Sequence, residues 1–146
     1  MKKCNTMKRG IFFFAICVLI ASCSKSAIRH HICISQGWLF ALDSMNTGEE
    51  NRWNETGLPA DVAERVSVPH TWSNMFSDPR QAVRYWCNGW YEKKLDIPKE
   101  FSGKLLQLQF DAVYHSAVIW INGKKAGKHL GSGYTKFYID ATSYLK

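Results

Sequence analysis

The amino-acid sequence predicts an all-β chain folded as a β-sandwich or jelly roll, and three observations carry the prediction. Short runs of alternating apolar and polar residues recur between Trp38 and Ile139, each closed by turn residues. Asn122-Gly123 stands between two such runs, and both residues tolerate the positive φ that a two-residue hairpin demands. No helical apolar stripe of four turns is visible after the first 22 residues, and no internal repeat is visible. Many short strands separated by turn signals bury their apolar faces by packing sheet against sheet.

The strands follow in order. Trp38, Phe40 and Leu42 alternate with Leu39 and Ala41, a first strand. Residues 44–64 are polar, with Gly48, Gly57 and Pro59, and read as loop and turns. Val66 and Val68 make a short edge strand stopped by Pro69. Residues 73–89 read as a long loop of polar and aromatic groups, a kind of loop that is commonly functional. Tyr91, Lys93, Leu95 and Ile97 share one parity and end at Pro98. Leu106, Leu108 and Phe110 share a face opposite Gln107 and Gln109, and Ala117, Ile119 and Ile121 share the next, with Trp120 behind them. A return strand runs through Ala126 to Leu130, and Phe137 and Ile139 form the last. Asp140 and Thr142 can then cap a short helical turn at Tyr144-Leu145. The expected inward set is Phe40, Leu95, Leu106, Leu108, Phe110, Ile119, Ile121, Phe137 and Ile139.

The start of the chain reads differently. Lys2, Lys3, Lys8 and Arg9 precede a continuous apolar run, Ile11 to Ile20, and small residues then lead to Cys23. This is the three-part layout of a secretory signal. The run is shorter than the ~20 residues of a spanning helix; a buried core helix is the alternative. Leu19-Ile20-Ala21-Ser22-Cys23 resembles a bacterial lipobox, which implies removal of residues 1–22 and acylation of Cys23, with a plain cleaved signal as the alternative. Acyl chains hold a protein at a membrane because each buried methylene contributes about 0.8 kcal/mol. The expected location is therefore outside the inner compartment, anchored on the periplasmic or cell-surface side. Residues 23–36, with Ser, Lys, Arg and His30-His31, read as a flexible tether, and no third metal ligand sits at a useful spacing.

The 146-residue chain has room for one domain. Its formal charge of +7 lies largely in the leader: residues 1–22 hold four of the 19 basic residues and no acidic one, leaving 15 against 12. No basic stripe remains to suggest nucleic acid. Cys33 and Cys87 can pair in an oxidising compartment, but two cysteines are no framework, and the reading is against a bridge.

Four segments carry a resemblance: WLFALD at 38–43, VSVPHTW at 66–72, NGWYEKKLDIP at 88–98, and the stretch 106–146, which includes FDAVYHSAVIWINGKKAGKHLGSGYTKF. In this order they resemble the N-terminal sugar-binding domain of glycoside hydrolase family two, whose members include β-galactosidases, β-glucuronidases and β-mannosidases. The resemblance covers nearly all of 38–146 and implies a galactose-binding-like jelly roll over 37–146. In the family, further strands, an immunoglobulin-like domain and a barrel bearing the active site follow, so the resemblance implies an incomplete sandwich without its catalytic barrel. Position 92 is Glu where the family commonly has arginine after the aromatic pair Trp90-Tyr91, which puts an ion pair made there in doubt.

Most motif residues have structural readings. Trp120 and Phe137 are packing residues; Gly127, Gly131 and Gly133 suit bends; Asp111 is expected to bond its own turn backbone; His70 and His129 are expected to be structural. No catalytic residue is expected. Retaining glycosidases need two carboxyls about 5–5.5 Å apart, which in this family are glutamates at barrel strand ends. Glu49, Glu50, Glu55, Glu64, Glu92 and Glu100 have no such setting, and Asn54-Glu55 repeats the family's acid/base dipeptide only by coincidence. No cofactor or metal site is expected. Carbohydrate is a candidate ligand: Tyr85 and Trp86 offer flat apolar faces for a pyranose ring and Asn88 an amide for its hydroxyls, the alternative being that these aromatics pack under the loop or against a missing domain. The resulting expectation is the non-catalytic carbohydrate-binding domain of a family-two glycosidase, present as a fragment. The alternative is a free-standing carbohydrate-binding or adhesion lipoprotein.

Overall fold

A computed structural model of the chain describes residues 29–72 and 87–145. The chain divides after Cys33 into two units, Met1–Cys33 and Ile34–Lys146. Of the first, residues 29–33 are described and have no regular secondary structure.

The second unit is an all-β domain of antiparallel strands. β1 (Trp38–Asp43) is the middle of a three-stranded sheet, between β2 (Glu64–Val66) and β3 (Asn88–Glu92). β4 (Gln107–Phe110) pairs with β7 (Phe137–Asp140), and β5 (Ala117–Ile121) pairs with β6 (Lys124–His129). A single helical turn, α1 (Trp53–Thr56), and two 3₁₀ turns, Lys99–Phe101 and Thr142–Tyr144, complete the described elements. The strands in the second half follow the expected alternation: Leu106, Leu108 and Phe110 are half-buried while Gln107 and Gln109 are exposed.

The Asn122-Gly123 hairpin forms as its chemistry dictates, with φ of 50° and 78°. Its strands shift register after Ile119, which faces Gly127, while Trp120 faces Lys125. This leaves Ala126 as the extra residue of a bulge. Gly127 then meets β7 so closely that a Cβ there would lie 2.6 Å from Ile139 Cδ1, and a side chain would force that methyl to shift. Phe137 stacks between Phe110, at 4.7 Å, and His129, at 4.2 Å, binding β4, β7 and β6 together. The chain end is tied back to the hairpin by Asn122 Nδ2, which donates to Tyr144 O, and by Tyr144 Oη, which donates to Lys125 O.

The core is small: Phe40, Ala41, Ile119, Ile139 and Ala141 are the buried apolar residues among those described. Of the expected inward set, Leu106, Leu108, Phe110, Ile121 and Phe137 are half-buried. Leu95 corrects the expectation: it is 40% exposed, because β3 covers Asn88–Glu92 and not 91–97. The physical reason is the partner. β1 supplies cross-strand neighbours only as far as the Leu39–Glu92 pair. Beyond it Lys93 Nζ turns back to donate to Gln36 O and Gly37 O. For the same reason Asn88 and Gly89, assigned to a loop by sequence, are strand residues opposite Asp43 and Leu42. Residues 34–36, placed in the tether by sequence, are hydrogen-bonded to the domain: Ile34 O accepts from Trp38 Nε1, Ser35 O from Val68 N, and Gln36 Oε1 from Ser67 Oγ. Asp111 also departs from expectation, since its carboxylate takes Gln109 Nε2 and Lys136 Nζ instead of turn backbone.

Candidate functional site

Of the residues singled out for carbohydrate, Tyr85 and Trp86 lie outside the described residues, as does the lipid-attachment candidate Cys23. Asn88 is described. It opens β3, is exposed, and its backbone N–H donates to Asn46 Oδ1 at 2.8 Å. This places it at the end of the three-stranded sheet where β1 runs into the 44–63 connection.

That end is organised by Asp43. The residue is only 3% exposed, and its carboxylate is saturated. Oδ1 accepts from Thr47 N at 3.0 Å; Oδ2 accepts from Gly48 N at 2.8 Å and from Trp90 Nε1 at 3.1 Å. A buried carboxylate is tolerated when donors replace its lost water. The turn it holds leads into α1, whose Trp53 meets Trp90 edge-on at 5.8 Å. Beside them opens a shallow cleft of about 230 Å³, lined among others by Leu42, Met45, Thr47, Trp53, Asp61 and Val62. An indole, a hydroxyl and a carboxylate around an open cleft suit a polar ring better than a reactive centre. Sequence reading assigned Trp53 and Asp61 to a polar connection; the one available signal was an aromatic residue in an otherwise polar stretch.

The acid and base candidates are occupied structurally. Glu55 pairs with Arg52, and that hydrogen bond holds the Glu55 carboxyl below the usual carboxylate range. A general acid at neutral pH needs the opposite shift. Asn54 Nδ2 donates to Gly123 O at 3.1 Å, locking α1 to the hairpin. Glu92, standing where arginine is common, accepts Leu58 N at 2.9 Å and so anchors the chain leaving α1. His70 Nδ1 lies 2.9 Å from Tyr91 Oη inside a cluster with Phe40 and Trp72. Burial, with a contribution from Glu64, pushes the Tyr91 phenol up to about 12. His129 contacts Ser132 O through Nε2 at 2.7 Å and stacks on Phe137. Cys33 is exposed and Cys87 half-buried, and among the described residues neither is in a disulfide. Among the described residues no group of three or more His, Cys, Asp or Glu could hold a metal ion, and no helix is long and apolar enough to cross a membrane.

Comparison with known proteins agrees with this picture. The sugar binding domain of glycosyl hydrolases family 2 matches residues 33–146. A β-glucuronidase of Bacteroides fragilis is 31% identical over 139 residues, covering 95% of this chain and 18% of that protein. A β-galactosidase of Thermoanaerobacter pseudethanolicus is 28% identical over 109 residues, covering 75% of this chain and 14% of that protein. Among solved structures, Ruminococcus gnavus β-glucuronidase superposes with a TM-score of 0.67 at 25% identity, over 83% of this chain and 20% of that one. The chain thus spans less than a fifth of the length of these curated relatives. With its antiparallel β-sandwich and a match running from Cys33 to its last residue, the chain belongs to glycosyl hydrolases family 2, to which it corresponds through the sugar binding domain.

Proposed function

We propose that the chain is the non-catalytic sugar-binding domain of a β-glycosidase of glucuronidase or galactosidase type. In this reading it helps position a glycan for a catalytic domain carried elsewhere in the assembly. One observation carries the reading: the family match spans residues 33–146, while the chain covers only 14–18% of the β-galactosidase and β-glucuronidase it resembles. The saturated Asp43 carboxylate and the Arg52-paired Glu55 support a binding role, since neither is poised to move a proton. We further propose export and anchoring through Cys23, supported by the basic start, the apolar run Ile11 to Ile20 and the Leu19–Cys23 sequence.

The test is direct. The purified full chain, assayed against aryl β-glucuronide and aryl β-galactoside, is expected to give no hydrolysis above the buffer blank. Turnover that survives rigorous purification and disappears in Glu55→Gln would overturn the non-catalytic assignment. Reading the gene beyond the Lys146 codon checks the remainder, the expected finding being a barrel-encoding region in the same or an adjacent frame.

A further inference from the structure

Two aromatic side chains outside every feature described so far stand in solvent. Tyr114 is 72% exposed and Tyr134 is 86% exposed. They lie 20 positions apart, yet their ring centroids are 6.1 Å apart with the planes at 60°. The topology explains why they meet. Loop 111–116 leaves β4 for β5, and loop 130–136 returns from β6 to β7. Because β4 pairs with β7 and β5 with β6, the two loops must run side by side between the two sheets.

The loops are tied at both ends. Near one end Gly131 N donates to Ser116 Oγ at 3.4 Å; at the other Lys136 Nζ and the Asp111 carboxylate pair at 3.1 Å. Between the ties, Gly133 is buried against the Tyr114 ring so closely that a Cβ would fall 2.4 Å from Cδ2. The backbone therefore supports Tyr114 from beneath, and the pair is organised before any ligand arrives, which lowers the ordering cost of binding. Hydroxyls flank the rings: Thr135 Oγ1 donates to Ser132 Oγ at 3.0 Å, and Ser116 Oγ lies 3.2 Å from His115 Nδ1. Burying neither ring in the core, the fold leaves about 150–250 Å² of each to be covered by something else.

We propose that Tyr114 and Tyr134 form a stacking site for a neutral pyranose of a β-linked glycan. The inference rests on the reading of the chain as a sugar-binding domain and assigns that binding to particular side chains. Two faces turned 60° to one another receive the apolar C–H faces of a sugar unit and its neighbour, while the loop hydroxyls meet the ring hydroxyls. A neutral ligand is favoured because, among the described residues of the two loops, the one Lys or Arg is Lys136, and it is already paired with Asp111 at 3.1 Å.

The experiment is a saturation-transfer NMR titration of the full chain in detergent with lactose, methyl β-D-galactopyranoside and methyl β-D-glucuronide. Tyr114→Ala, Tyr134→Ala, Tyr134→Phe and the surface control Tyr138→Ala, in β7 outside both loops, are compared, and thermal unfolding is recorded for each. The neutral sugars are expected to bind more tightly than the glucuronide. Each alanine variant at 114 or 134 is expected to lose about tenfold in affinity, the scale of one aromatic anchor, while Tyr134→Phe and Tyr138→Ala keep wild-type binding and all melt alike. Sugar binding that survives both alanine variants overturns the site while leaving the sugar-binding reading in place. A cooperatively folded chain that binds none of the three sugars also overturns it, as does preference for the glucuronide. The non-catalytic reading fails on a different readout, hydrolysis of the aryl glycosides.

Discussion

Asp43 offers the sharpest test of how this domain is held together. Its carboxylate receives three donors, from Thr47 N, Gly48 N and Trp90 Nε1, and the Gly48 bond is buried while the other two are part-buried. Asp43→Ala strands all three. A buried donor left without a partner costs about 1–3 kcal/mol, and the two part-buried donors cost less because water can reach them. The sum is about 3–5 kcal/mol, a large share of the ~5–15 kcal/mol that holds a typical domain together. Asp43→Asn keeps the shape and one acceptor oxygen. Placed at Oδ2 it preserves the bonds from Gly48 and Trp90, and its amide nitrogen opposes only Thr47 N. The expected cost is about 1–2 kcal/mol. Urea unfolding followed by far-ultraviolet circular dichroism and tryptophan fluorescence reads both. With a slope of about 1.5 kcal/mol/M, Asp43→Ala lowers the midpoint by ~2–3 M and Asp43→Asn by ~1 M. Equal losses from the two variants, or a loss below about 1 kcal/mol from alanine, would refute the claim that saturation of this carboxylate organises the sheet end.

Other expectations follow from single sites. The Tyr91 phenol, raised to about 12 by burial, binds its proton more tightly in the folded chain than at the ordinary value of 10.0. Its contribution to stability is therefore full below pH 10.0 and is lost as pH rises toward 12; ultraviolet titration is expected to show a late phase that Tyr91→Phe removes together with the alkaline loss. Gly123→Ala forces a side chain into φ of 78° and to 3.2 Å from Glu55 Cγ, with an expected cost of about 1–2 kcal/mol in the same urea assay. Glu92→Arg turns a donor toward Leu58 N in place of its acceptor and is expected to cost about 1–3 kcal/mol, with Glu92→Gln nearly neutral. Mass spectrometry of the membrane fraction is expected to find a lipidated peptide beginning at Cys23, and Cys23→Ala to release the protein or stop its processing; a soluble wild-type protein starting elsewhere would remove the anchor from the account.

Much of the architecture was legible because its causes are local. Asn122-Gly123 forms a tight hairpin through its own backbone freedom, and the face shared by Leu106, Leu108 and Phe110 follows from the two-residue period of a strand. The family resemblance drew on the same local words. The site was less legible. Trp53 entered the cleft through a one-turn helix with no apolar periodicity to announce it, and Asn88 moved from loop to strand because β1 reaches it.

Local residue patterns sufficed for the class of fold, the hairpin, the strand faces of the second half and the family. Tertiary structure alone decided where β3 stops, since a strand persists only as far as its partner, and β1 lies more than forty residues earlier. It alone decided that Asp43 is buried, because one of its three donors, Trp90, stands 47 residues away. It alone brought Tyr114 to Tyr134, whose loops neighbour each other only through the pairing of β4 with β7 and β5 with β6. Backbone preference acts within a few residues; pairing and burial act between segments that only the folded chain brings together.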